Sequence, residues 1–330
     1  MKPIRVALAQ LAPRLGVLED NLARHHALID EARAGGADLV VFPELGLTGY
    51  LLQDLAGEVA MRRDDPRLQE LAAHADGVDK SGDGVAGATG KPLSAIVSFV
   101  EESDDHRLFI AAALLEDGQV RHVHRKLFLP TYGLFDERRF FAAGDRLRAV
   151  DSRLGIRIGL AVCEDFWHLS VPETLAMDGA HFLINVSSSP GRDLAAIHEV
   201  GLGTAGSWQN LIRTYAQLTT SFVIFCNRVG VDETISFWGG SEVIGPSGDA
   251  VFTAPMFDEG LHFVDIDLAD VRRERVSLPL LRDERPELHL RELRRILAER
   301  TDMPIDSASE PTEPDDTIAA EPTKAGRRDR

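Results

Sequence analysis

The chain has 330 residues, 44% of them apolar, and a formal net charge of −17. That is enough apolar matter for a large α/β core in one domain or two, and the charge leaves no basic stripe of the kind that binds nucleic acid or an anionic membrane. Cys163 and Cys226, the two cysteines, make neither a disulfide framework nor a zinc-type spacing. No stretch approaches the roughly 20 apolar residues of a membrane span, and Arg5 and Gln10 interrupt the N-terminal apolar run before signal-peptide length. A reducing, cytoplasmic location is expected.

Taken in order, Ile4, Val6 and Leu8 alternate as in a first strand, and Leu18, Leu22, Ile29 and Ala32 recur at helical spacing up to Gly35-Gly36, a C-terminal cap signal. Residues 37–42 give a second strand that stops at Pro43, which cannot donate to a ladder. Glu44 therefore lies just past a strand's carboxyl end, where open α/β sheets place their sites. Residues 76–91, rich in Gly, Asp, Ser and Ala, read as a surface loop without the lysine-serine or lysine-threonine pair of a phosphate loop. Residues 93–100 and 108–115 read as strands. Asp117-Gly118 is a two-residue hairpin signal into Gln119–Arg125, where His122, His124 and Lys126 fall on one side. The histidines fit a polar sheet edge better than a metal or anion site.

Residues 155–162 form a buried strand that ends in C-E-D-F-W. The acidic residues suit the first turn of a helix, so Cys163 sits where backbone N–H groups lower a thiol pKa and can hold an oxyanion. A buried structural cysteine is the alternative. Ser170–Met177 opens S-V-P-E, a capping box with proline in the first turn. Residues 181–186 form a strand ending in S-S-S-P-G-R, at the same end of the sheet as Cys163 if the strands run parallel. A helix over 204–218 and a strand over 222–226, with Cys226 as a core residue, repeat the alternation. A hairpin over 235–252 turning at P-S-G-D, a strand over 261–266, and amphipathic segments over 268–276 and 288–297 complete the fold. From Thr301 onward the chain is acidic and proline-rich, too poor in apolar residues to offset its ordering entropy, and is expected to be a disordered tail.

Three segments pair a strand end with one reactive side chain: F-P-E-L-G-L-T-G-Y at 42–50, H-R-K-L-F-L-P-T-Y-G-L-F-D-E-R-R-F-F at 124–141, and the cysteine segment. A carboxylate can take the thiol proton and later activate water, and an ammonium can offset the charge of a tetrahedral intermediate. Singly, Glu44 also reads as a loop carboxylate and Lys126 as a solvated surface charge.

In order and spacing these segments resemble the Glu, Lys and Cys motifs of the nitrilase, or carbon–nitrogen hydrolase, superfamily, from residue 4 to about residue 270. The resemblance implies an α/β fold, a four-layer α-β-β-α sandwich over 1–300 ahead of the tail at 301–330, pairing across its helical face into homodimers or larger homo-oligomers. It implies Glu44 as general base, Lys126 as stabiliser of the intermediate and Cys163 as nucleophile. Glu137 is the match to a second glutamate that orients the lysine or helps proton transfer; its own sequence also allows a salt bridge with Arg138 or Arg139. No metal or organic cofactor is implied.

Within the superfamily, Y-G-L-F-D-E-R-R-F-F and C-E-D-F-W are most similar to the glutaminase domain of glutamine-dependent NAD synthetases, where the residues matching Tyr132, Glu164 and Ser189 contact substrate. The S-G-G-x-D-S-type ATP loop of the synthetase half does not occur, so NAD synthesis is not expected of this sequence. The arginine that meets the substrate carboxylate some way beyond S-P is here adjacent, as Arg192.

The expected activity is hydrolysis of a non-peptide C–N bond in a small linear amide or carbamoyl compound, through a thioester or S-carbamoyl intermediate, with release of ammonia. The Glu164 backbone N–H is a candidate oxyanion donor, while Asp165 and Trp167 hold the turn. Two alternatives stand beside this: an ammonia-delivering glutaminase subunit of a separate synthetase, and a binding or scaffold protein that has lost catalysis. Nitrile hydrolysis is not favoured, since the residues around Cys163 match amidases better.

Overall fold

The computed structural model describes residues 3–79, 87–88, 90–191 and 203–300. Arg192 and the expected disordered tail lie outside the described residues. The chain divides into two compact units, Met1–Asp283 and Glu284–Arg330.

In the first unit the chain runs β1 (Ile4–Gln10), α1 (Leu18–Ala34), β2 (Leu39–Val41), α2 (Pro66–Ala75), β3 (Val78–Asp79), β4 (Gly87–Ala88), β5 (Ser94–Glu102), β6 (Leu108–Glu116), β7 (Gln119–Arg125), β8 (Ala149–Asp151) and β9 (Arg157–Val162). It continues through α3 (Ser170–Met177), β10 (Phe182–Ser187), α4 (Gly203–Thr219), β11 (Phe222–Asn227), β12 (Val229–Asp232), β13 (Ile235–Trp238), β14 (Glu242–Ile244), β15 (Ala250–Thr253), β16 (Gly260–Ile266), α5 (Ala269–Ser277) and α6 (Leu280–Asp283). One six-stranded sheet has the order β16-β1-β2-β5-β6-β7, the other β15-β14-β11-β10-β9-β8. The centres of both are parallel, β1-β2-β5 in the first and β9-β10-β11 in the second, with antiparallel strands outside.

The period of two along β1 decides which side chains serve which interface. Ile4, Val6 and Leu8 join the core between the sheets, together with Ile158, Leu160 and Ile184, while Ala7 and Ala9 pack with Leu22, Ile29, Leu68 and Leu71 of α1 and α2. Helices α3 and α4 cover the far face of the second sheet through Val171, Leu175, Trp208 and Ile212. The expected four-layer α-β-β-α arrangement is thus present. Strands covered on both faces are apolar nearly throughout, as in β5 and β6.

The structure adds one helix and corrects three local expectations. Helix α2 was not foreseen, although Asp65 caps it by accepting from Arg67 N, Pro66 opens it, and Leu68, Leu71, Ala72 and Ala75 share one buried face. The single hairpin over 235–252 is two hairpins, β12–β13 and β14–β15, because Gly239 and Gly240 both take left-handed backbone and break the run between them. Ser170 does not cap α3. It is already helical behind Leu169, because the turn at Cys163–Trp167 leads into the helix through His168 N to Asp165 O and Val171 N to His168 O. Within the loop expected at 76–91, the described ends pair as β3 and β4.

The second unit contributes α7 (Pro286–Glu299), opened by proline and exposing Leu290, Leu293, Ile296 and Leu297. Among the described residues, no helix is long and apolar enough to cross a membrane.

Candidate active site

Glu44 leaves the end of β2 on a tight turn whose next residue, Leu45, has φ 49°. The turn is pinned to β5: Leu45 N donates to Ser98 Oγ at 2.9 Å and Leu47 N to Ser98 O at 3.1 Å. Lys126 follows β7, its N–H donating to Ile110 O at 2.8 Å and its carbonyl accepting from Gly144 N at 2.8 Å. A Cβ at Gly144 would come within 2.4 Å of Arg125 O, so only glycine lets the two segments approach here. These backbones aim both side chains into the core. Lys126 Nζ donates to Glu44 Oε1 and to Glu137 Oε1, each at 2.8 Å, with all three side chains buried. Tyr50 Oη donates to the same Glu137 oxygen at 2.5 Å, and Ser188 N donates to Glu44 Oε2 at 2.8 Å.

A buried ammonium survives only when it is paired. Burial pulls the Lys126 pKa down, but Glu137 and Glu44 outweigh it and hold the ammonium well above its ordinary range. Burial pushes the Glu137 carboxyl up to about 7, with Lys126 opposing the rise and Glu44 adding to it. Glu137 therefore meets Lys126 and Tyr50, while Arg139 lies 3.9 Å from Asp136.

This shift links stability to pH. A carboxyl that keeps its proton to higher pH when folded contributes stability that is present below about 4.5 and lost as pH rises through about 7. Glu137→Gln cannot titrate, so the variant should gain on the wild type by on the order of 2–3 kcal/mol between pH 4.5 and pH 8. Urea unfolding of both proteins across that range checks it, and parallel curves would refute the linkage.

Cys163 follows β9 with φ 44°, a left-handed conformation that a residue bearing Cβ rarely takes. Asn185 on the neighbouring β10 holds this turn, accepting from Cys163 N at 2.8 Å and donating to Cys163 O at 3.3 Å. Asp165, fully buried, ties it to the lysine segment. Its carboxylate accepts from Val162 N at 2.9 Å, Leu127 N at 2.9 Å, Phe128 N at 3.1 Å and His124 Nε2 at 2.8 Å. His124 is therefore no polar sheet edge: although β7 is the outer strand of its sheet, β9 packs across it. Asp165→Ala would leave four donors without their acceptor, two of them buried, and should cost about 3 kcal/mol or more, read as a lowered urea midpoint.

The thiol departs from expectation as well. Burial and then the Glu44 carboxylate push Cys163 well above its ordinary range, and Lys126 only partly offsets them. The strand-end position does not outweigh burial beside a carboxylate, so the resting sulfur is a neutral thiol. Cys226 is a core residue, its Sγ 3.2 Å from Val41 O.

Cys163 lies in the wall of a cavity of about 470 Å³ shared with Tyr132, Glu164, Trp167, Ser189 and Trp208. Tyr132 Oη is 2.9 and 3.0 Å from the two Glu164 oxygens, and burial raises the Glu164 pKa although Tyr132 pulls it down. Every sequence-derived candidate thus reaches either the Lys126 cluster or this cavity. Tyr50, Asn185 and Ser188 were missed. Tyr50 stands in the glutamate segment and Ser188 in S-S-S-P, while Asn185 carries a signal of its own as a polar residue inside the apolar run F-L-I-N-V.

Known proteins resemble this chain in sequence and fold. The chain is 34% identical over 282 residues to the glutamine-dependent NAD(+) synthetase of Thermotoga maritima, covering 84% of this chain and 44% of the synthetase. It spans about half the length of the curated synthetases it matches. It is 26% identical to the N-carbamoylputrescine amidase of Arabidopsis thaliana, covering 82% of this chain and 89% of that enzyme. The crystal structure of a carbon-nitrogen hydrolase from Helicobacter pylori G27 has the same fold, with TM-score 0.74, 24% identity, and 88% and 98% of the two chains covered. The carbon-nitrogen hydrolase family model matches residues 5–275, so the chain belongs to the carbon–nitrogen hydrolase family.

Proposed function

We propose that this protein is an amidohydrolase that cleaves the non-peptide C–N bond of a small linear amide or N-carbamoyl compound. The observation that supports this most is the buried Glu44–Lys126–Glu137 cluster acting electrostatically on the thiol of Cys163 in a cavity wall. Because the thiol rests neutral, Glu44 takes its proton as Sγ attacks the carbonyl carbon. The oxyanion so formed is balanced by the Lys126 ammonium and the Glu164 N–H. Glu44 returns the proton to the leaving nitrogen, the C–N bond breaks, and ammonia departs from a thioester or S-carbamoyl enzyme. Water then gives a proton to Glu44 while its oxygen attacks the acyl carbon, and the acid and free thiol are restored. Glu137 orients Lys126, and Tyr132, Glu164 and Ser189 bind the remainder of the substrate.

Ammonia release measured across glutamine, other ω-amides, N-carbamoyl amines and aliphatic amides tests the reading. Turnover of at least one class is expected, and silence across all four overturns it. A second reading, an ammonia-delivering glutaminase working with a separate synthetase, draws on the 34% identity to a synthetase of which this chain covers under half. Glutamine turnover stimulated by a co-purifying synthetase separates the two. The proposal includes a cytoplasmic location and a homo-oligomer, and exposed Trp167, Leu169, Met177 and Leu218 on and beside the outer helices support the oligomer.

A further inference from the structure

Ser189 is almost completely buried in the cavity wall. Its backbone N–H donates to Asn227 Oδ1 at 2.8 Å, which fixes the residue. Its hydroxyl receives two indole N–H groups, Trp208 Nε1 at 2.8 Å and Trp238 Nε1 at 3.3 Å. A serine hydroxyl has two acceptor sites and one proton, and an indole N–H can only donate. Both acceptor sites are filled, so the proton is the hydroxyl's remaining capacity.

The rings are held. Trp208 lies 4.8 Å from Phe225 and 5.1 Å from Trp167 between centroids, and Trp238 stacks on Phe225 at 5.9 Å. Both indoles are 1% exposed. A buried donor left without an acceptor is costly, and a substrate group that can only donate cannot satisfy it.

We propose that Trp208 and Trp238 are positioning residues for specificity: by donating together to Ser189 they make its hydroxyl a one-way donor. The cavity then selects amides whose remote end carries a hydrogen-bond acceptor, a carboxylate or carbonyl, over those ending in an amine or ammonium. This rests on the amide-hydrolase reading of the same cavity. Glu164, also in the wall, acts on charge in the opposite sense, so the test must cancel its contribution.

The test compares kcat/KM for two amides of equal chain length, glutaramate and 4-aminobutanamide, in the full-length protein. Trp238→Phe frees one acceptor site on Ser189 and should lower the glutaramate preference about tenfold, as should Trp208→Phe, the scale of one hydrogen bond. Ser189→Ala should lower it by a similar factor without removing a ring from the core. In the Ser189→Ala background either tryptophan change should move the ratio less than about twofold. Charge effects of Glu164 are common to both backgrounds and drop out. An unmoved ratio in the single variants, or an equal drop without the serine hydroxyl, overturns the proposal while leaving amide hydrolysis standing. Absence of turnover on every amide overturns the functional reading, and this inference with it.

Discussion

Replacing Cys163 with alanine is expected to lower amide turnover by roughly 10⁴ or more while leaving the fold intact, since loss of a nucleophile removes the covalent route altogether. Stability should change by no more than about 1 kcal/mol. The left-handed turn is held by Asn185 and Asp165 through the backbone, and alanine bears the same Cβ as cysteine at φ 44°. Two measurements separate chemistry from folding. Intact mass after incubation with a slow amide should show an acyl adduct on the wild type and none on the variant. Brief native treatment with iodoacetamide should add one label per wild-type chain and none to the variant, because Cys163 lines the cavity whereas Cys226 is fully buried in the core. Undiminished turnover by Cys163→Ala would sink the covalent mechanism.

Lys126→Ala is expected to damage activity and stability together. Turnover should fall by about 10² or more, the scale of losing one donor to an oxyanion. Stability should fall by about 3–5 kcal/mol, because the change leaves the Glu44 and Glu137 carboxylates buried without their shared ammonium. Adding Glu137→Gln should restore part of the stability above about pH 4.5, by removing a carboxyl that must keep a proton to stay buried, and should leave turnover low. Urea midpoints and steady-state rates on the single and double variants check both halves. A Lys126→Ala protein as stable as the wild type would mean that the ammonium does not hold the two buried carboxyl groups as described.

The strand ends were legible because they are local facts. Pro43 after an apolar run, the hairpin signal Asp117-Gly118 and the break at Cys163 each place one reactive side chain at an edge of the same core. Their convergence came from a resemblance between motifs rather than from spacing. What escaped the sequence depends on distant partners. Tyr50 meets Glu137 across 87 positions, and the carboxylate of Asp165 gathers donors up to 41 positions away. The thiol was misjudged for the same reason: a helix-like turn after Cys163 is visible in sequence, but the depth of the site and the nearness of Glu44 are tertiary. His124 was misplaced because an outer strand in the hydrogen-bonding order need not be an outer strand in the packing.

Glu44 and Lys126 ride on the first sheet and Cys163 on the second, and Asp165 is the rivet between them. Enzyme activity therefore works as a gauge of how the two sheets are seated on one another. On heating, slippage of one sheet against the other should silence turnover at a lower temperature than the loss of helical circular dichroism, and weakening the rivet should widen that gap.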